Sequence, residues 1–152
     1  INRTLSLVNT IFRKDNIKIT VDIEEDLPSI QCRSQQLQQV LMNLLTNARD
    51  AIHENVELDE LDKHIRISAH RQTHHLRAYL VMSVADNGVG FEDDVKEKIF
   101  QPFFSTKSKD KGTGLGLSIS YGIVKDHDGF IEVVNEKGNT RFDVFLPVKG
   151  DS

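Results

Sequence analysis

A two-layer α/β sandwich, with helices packed on one face of a mixed sheet of about five strands, is the architecture this sequence predicts. Three observations carry it. One long stretch has amphipathic helical spacing, several short runs are β-branched and alternating, and helices and strands are segregated. Regular strand–helix alternation, the mark of a doubly wound sheet, is absent.

Taken in order, Ile1, Leu5, Val8, Ile11 and Phe12 recur at helical spacing, so residues 1–14 read as a helix. Ile17 to Ile23 (IKITVDI) alternates and is β-branched, which is strand-like. From Ser34 to Glu54 the apolar positions Leu37, Val40, Leu41, Leu44, Leu45, Ala48 and Ile52 recur at three and four. That is a long amphipathic helix with Ser34 as its N-cap and the adjacent glutamines toward solvent. Two strands come next, Ile65 to Arg71 and Leu76 to Ala85, joined by a polar turn at Gln72–His75. Asp93 to Phe100 and Leu115 to His127 read as helices. Phe130 to Asn135 and Thr140 to Pro147 read as a closing pair of strands around a turn at EKGN.

The chain has 152 residues, 38% apolar and 28% charged, which fits one globular domain. A formal charge of −4 gives no case for a nucleic-acid partner. No apolar run approaches the roughly 18 residues that span a bilayer. The single cysteine, Cys32, excludes an internal disulfide and suits a reducing compartment. Because it opens on Ile1 without an initiator methionine, the chain reads as a piece of a longer one, whose membrane attachment it leaves open.

Four short stretches carry chemistry. On the long helix, Asn43, Asn47 and Asp50 cluster at the border of the apolar stripe. One asparagine there is an ordinary half-exposed residue. Two in line on a helix they do not favour suggest oxygen ligands for Mg²⁺. Asp86-Asn-Gly-Val-Gly90 comes after a strongly apolar strand. As a hairpin turn it fits poorly, since a helical pattern comes next. The alternative places the Asp86 carboxylate in a pocket, accepting from an exocyclic amine, with glycines admitting a flat ring. FQPFFSTK is core-like in its phenylalanines, yet Ser105 to Thr113 has no apolar anchor. Its lysines make either a solvated loop or a lid over phosphates. Gly112, Gly114 and Gly116 then enter a helix, where backbone N–H groups favour an anion.

The order of these stretches is more specific than any of them. Asn43-Leu-Leu-Thr-Asn47-Ala, Asp86-x-Gly-x-Gly90, FQPFFSTK, Gly112-Thr-Gly-Leu-Gly-Leu117 and Gly-x-Thr140 before FxVFLP resemble the N, G1, F, G2 and G3 boxes of bacterial sensor histidine kinases. The resemblance runs from about Leu27 to Pro147 and points to their catalytic, ATP-binding domain, a Bergerat-type sandwich. It implies ATP and Mg²⁺ as ligands. Asn47 would hold the metal, and Asn43, with Asp50 beside it, would border the phosphates. Asp86 would take the adenine amine in a pocket shaped by Gly88 and Gly90. Phe100, Phe103 and Phe104 would hinge a lid, and Lys107 would reach a phosphate. Gly112, Thr113, Gly114, Leu115, Gly116 and Leu117 would form the phosphate seat, and Thr140 would support the adenine side. Asn139 departs from the glycine common in the last box.

Related ATP hydrolases resemble one another in a glutamate where this chain has Asn43, and an amide has no useful basicity. The resemblance therefore implies phosphoryl transfer, as opposed to hydrolysis. No acceptor histidine is found. His75-Leu-Arg77 lacks the acid and proline of the family's acceptor motif, and His70, His74 and His75 have no cysteine or carboxylate to make a metal site. No general base or catalytic residue is expected within the chain. The expected division is residues 1–14 as the end of a connection from a dimerisation and phosphoacceptor domain, and residues 15–152 as the catalytic domain. The implied partners are that domain and a response regulator receiver. The piece itself is expected to be a monomer of a dimeric parent, on the cytoplasmic side, with an inner-membrane anchor in the parent left open. A nucleotide-binding sensor without phosphotransfer and an anti-sigma-type serine kinase are the competing readings.

Overall fold

The computed structural model describes residues 17–25, 33–54, 63–87, 116–136 and 139–148. The expected helices at 1–14 and 93–100, and the turn at EKGN, lie wholly or partly outside them. The described chain runs β1 (Lys18–Ile23), α1 (Ser34–Glu54), β2 (His64–His74), β3 (Arg77–Asp86), α2 (Gly116–Asp126), β4 (Phe130–Glu136) and β5 (Asn139–Pro147). The strands form one mixed sheet in the order β1-β2-β3-β5-β4, with β1 and β2 parallel and the other pairs antiparallel. Both helices pack on one face, as the sequence predicts.

The alternation within the strands decides that face. Ile65 and Ile67 of β2, Met82 and Val84 of β3, and Phe142, Val144 and Leu146 of β5 point into one core. Against them α1 lays Val40, Leu41, Leu44, Leu45, Ala48 and Ile52, each at most 2% exposed. Burying a side chain such as Leu44 contributes roughly 1.5–3 kcal/mol. From α2, Ile123 and Val124 join the same cluster. The other face is of mixed character. Tyr79, Val81 and Phe145 form a small second cluster there, with Phe130 stacked on Phe145 at 4.3 Å between ring centres. Polar side chains fill the rest.

Two boundaries differ from the sequence reading. The first bonds of α1 run from the Gln36 and Leu37 amides to the Arg33 carbonyl, at 3.0 and 3.1 Å, so the N-cap position falls on Arg33 and Ser34 begins the helix. Arg33 also donates its own N–H to His127 Nε2 at 3.1 Å, and the His127 Nδ1 lies 2.8 Å from the Ile123 carbonyl. The imidazole thus joins the start of α1 to the end of α2. The second difference is the β2–β3 hairpin. The ladder continues through Gln72, Thr73 and His74, and the turn is His75-Leu76, with φ of 48° and 66°. A two-residue loop with both φ positive matches the strand twist. That geometric demand outweighs the strand propensity of Leu76, which stands fully exposed. Neither residue favours the left-handed region, at a cost of roughly 1–2 kcal/mol each.

Helix α2 ends in a Schellman arrangement. Asp128 has φ of 61°, its amide donates to the Lys125 carbonyl, and the Gly129 amide donates to the Val124 carbonyl at 2.9 Å. Gly129 is required by space, since a Cβ there would collide with the backbone carbonyl oxygen of Phe145. Gly129→Ala should lower stability by roughly 1–3 kcal/mol in chemical denaturation, because β5 or the turn must move to admit the methyl.

Candidate functional site

The polar border of α1 emerges because its apolar stripe is narrower than the helix. Asn43, Asn47 and Asp50 are all half-buried beside the fully buried Val40, Leu44 and Ala48. Asn43 is tied down further. Its Nδ2 donates to the Ser120 hydroxyl of α2 at 3.1 Å, and Ser120 is completely buried. Spending the amide's donor end on Ser120 fixes its orientation, which makes Oδ1 the acceptor end. The same bond locks the first half of α2 alongside the polar edge of α1. Gly116, the last glycine of the glycine-rich stretch, is the first residue of α2, and Leu117 packs against the core one residue later. The stretch therefore does enter a helix, whose exposed N–H groups and dipole favour an anion.

The second half of the site lies at the end of the central strands. Asp86 is the last residue of β3, paired with Ile65 of β2 on one side and Thr140 of β5 on the other. Strand alternation puts Asp86 and Thr140 on the helix-covered face, in line with Val84 and Phe142. Both are 3% exposed. A carboxylate at that depth is costly unless it accepts hydrogen bonds. Its neighbour in sequence, Asn87, accepts the His64 N–H through Oδ1 at 3.0 Å. That bond holds the chain leaving β3 against the start of β2. Asp86 and Asn87 thus end the strand and fix its exit.

The structure brings Asp86 together with Thr140, and Asn43 together with the start of α2, with Asn47 and Asp50 on the same edge as Asn43. Gly88, Gly90, Phe100, Phe103, Phe104, Lys107, Gly112, Thr113, Gly114 and Leu115 lie outside the described residues. Two contributors escape sequence reasoning. Asn87 reads as a turn residue. Ser120 shows only one weak signal, a polar residue on the stripe formed by Leu117, Ile123 and Val124.

Known proteins share this fold. The family profile described as histidine kinase-, DNA gyrase B- and HSP90-like ATPase matches residues 32–150. The chain is 41% identical to the sensor kinase CckA of Brucella abortus over 137 residues, covering 87% of this chain and 14% of that protein. It is 34% identical to the sensory histidine kinase/phosphatase NtrB of Klebsiella oxytoca, covering 89% of this chain and 38% of the other. It spans well under half the length of both. Among solved structures it resembles a nucleotide-free catalytic domain of histidine kinase ThkA, with a TM-score of 0.76, 30% identity, and coverage of 96% of this chain and 88% of that one.

Removing the hydroxyl that holds Asn43 tests the site's construction. Ser120→Ala should cost roughly 0.5–1.5 kcal/mol of stability, since the half-buried amide loses its acceptor. It should also weaken nucleotide binding measured by calorimetry.

Proposed function

The chain belongs to the histidine kinase-, DNA gyrase B- and HSP90-like ATPase family, and on that premise we propose that it is the ATP-binding catalytic domain of a two-component sensor histidine kinase. In this reading it directs the γ-phosphate of Mg²⁺·ATP to a histidine on a separate dimerisation domain of its parent, for relay to a response regulator. The observation that carries the choice of kinase over hydrolase is Asn43. Its amide is bonded to Ser120 and is no general base, so the chain supplies nothing at that position to activate water.

The donor set fits the ligands. Asp86 is a buried acceptor at the sheet's end and would bind the adenine amine, with the Thr140 hydroxyl beside it. Asn47 offers a neutral amide oxygen suited to Mg²⁺, and Asn43 would orient the phosphates next to it. Gly116, at the head of α2, would present backbone N–H groups to them. When bound, Mg²⁺ neutralises phosphate charge. What this chain adds is position, which is the main protein contribution to phosphoryl transfer. Gly88, Gly90, the three phenylalanines and Lys107 would complete the pocket and its lid.

The receiver comes from elsewhere. His70 and His74 lie on the sheet face away from Asp86, His64 shares that face with its Nε2 2.6 Å from Thr20 Oγ1, and His127 is engaged at both ring nitrogens. We therefore assign residues 1–14 to the connection with the phosphoacceptor domain. The catalytic domain acts as a monomer within a dimeric parent, on the cytoplasmic side, where ATP is available. Among the described residues no helix is long and apolar enough to cross a membrane.

Calorimetry should show Mg²⁺-dependent ATP binding by the isolated chain. Asp86→Asn and Asn47→Ala should each weaken it about tenfold or more. With γ-labelled ATP, label should appear as acid-labile phosphohistidine only when the parent's dimerisation domain is added. Failure to bind nucleotide would overturn the reading. Acid-stable phosphate on serine in a partner protein would point to a serine kinase.

A further inference from the structure

The sheet face turned away from α1 and α2 carries a cleft of about 350 Å³. Its shape comes from register. Arg66, Ala85 and Arg141 form one row across β2, β3 and β5. In the next row stand Ser68, Ser83 and Asp143. Two long side chains thus flank an alanine and two serines, and the small residues leave a floor below the arginines. Adjacent strands lie about 4.8 Å apart, so the two arginine backbones are separated by roughly 10 Å. Both guanidinium groups, on long stems, can reach one small ligand between them.

The arginines are held from one side only. Arg66 donates through one Nη to Asp22 at 2.8 Å, and Arg141 donates through Nε to Asp143 at 2.9 Å. The Ser83 hydroxyl donates to the same Asp143 oxygen at 2.7 Å, so that carboxylate is occupied. These contacts steer the arginines and leave most of their hydrogen-bond donors for something else. The cleft is at the small end of ligand sites.

We propose that this cleft is a second ligand site, taking a compact phosphate-bearing small molecule between Arg66 and Arg141. A carboxylate is satisfied by a single guanidinium. A tetrahedral phosphate has three terminal oxygens, which suit two guanidinium groups approaching from opposite sides with the Ser68 hydroxyl below. Because Asp22 and Asp143 offset the arginines' charge, a monoanion gains little and a dianion is preferred. The cleft adjoins the nucleotide site: Asp86 and Asn87, where β3 ends, also line it, while strand alternation turns the Asp86 side chain to the helix-covered face and leaves the two arginines on the other.

Pyrophosphate is the probe, titrated into the whole chain with amide chemical shifts as readout, both alone and after filling the nucleotide site with a non-hydrolysable Mg²⁺·ATP analogue. In both settings shifts are expected at Arg66, Ala85 and Arg141. The double variant R66Q/R141Q should lose roughly tenfold or more in pyrophosphate affinity with nucleotide affinity unchanged. Ala85→Val, which keeps both arginines and fills the floor, should also weaken it. Shifts confined to the surroundings of Asn43 and Asn47, or unaltered pyrophosphate binding by R66Q/R141Q, would overturn the proposal. Pyrophosphate is titrated also without nucleotide, so a failure of ATP to bind would sink the catalytic reading and leave the cleft's test decisive.

Discussion

When β5 inserts antiparallel between β3 and β4, it sets a register running from Tyr79↔Pro147 to Asp86↔Thr140, and most other features of the molecule depend on that ladder. It aligns Met82, Val84, Phe142 and Val144 as one apolar surface for the helices to cover. It ends that surface with a buried carboxylate beside a buried hydroxyl. On the reverse face it places Arg141 level with Arg66. A slip of one residue would turn every β5 side chain to the opposite face, exposing Phe142 and burying Arg141. Register is therefore strongly specified by the core alone.

The helices are coupled to this sheet and to each other by contacts of two kinds. Apolar burial along α1 and α2 supplies the bulk of the stabilisation and is indifferent to small rotations of either helix. The polar ties remove that freedom. Asn43 to Ser120 joins the helices near the site, and Arg33 to His127 joins them at the other end. Each contributes modestly to stability. Together they hold the amide edge of α1 and the start of α2 in a fixed relation, which a site that works by positioning requires. The catalytic reading rests on the chemistry of that edge, where Asn43 offers an amide oxygen, which has no useful basicity, at the position its hydrogen bond to Ser120 holds.

The two sheet faces divide the labour. Toward the helices the sheet is apolar until its last row, where Asp86 and Thr140 stand. Away from them it carries an aromatic cluster around Phe130 and Phe145 at one end and ion-paired arginines over small residues at the other. Strand alternation lets neighbouring residues such as Ala85 and Asp86 serve different chemistry on opposite faces.

Much of this is legible in the sequence. The three-and-four spacing from Leu37 to Ile52 determines α1 and its polar edge, since burial of that stripe leaves Asn43, Asn47 and Asp50 no other place. The β-branched alternation of β1, β2 and β3 determines strands, and the order of the glycine and asparagine boxes determines the family. The hairpin departs from its local pattern, because a polar run such as Gln72-Thr73-His74 signals a turn, whereas the two-residue loop is set by how the paired strands twist. The N-cap falls on Arg33 because helix ends are decided by which carbonyl receives the first amide. Only the tertiary structure decided that Asp86 meets Thr140, that Ser120 holds Asn43, and that Arg66 and Arg141 share one row with Ala85 between them. Those pairs are separated by dozens of residues. Local spacing shows which face a side chain takes, but which strand lies beside it depends on the packing of the whole chain.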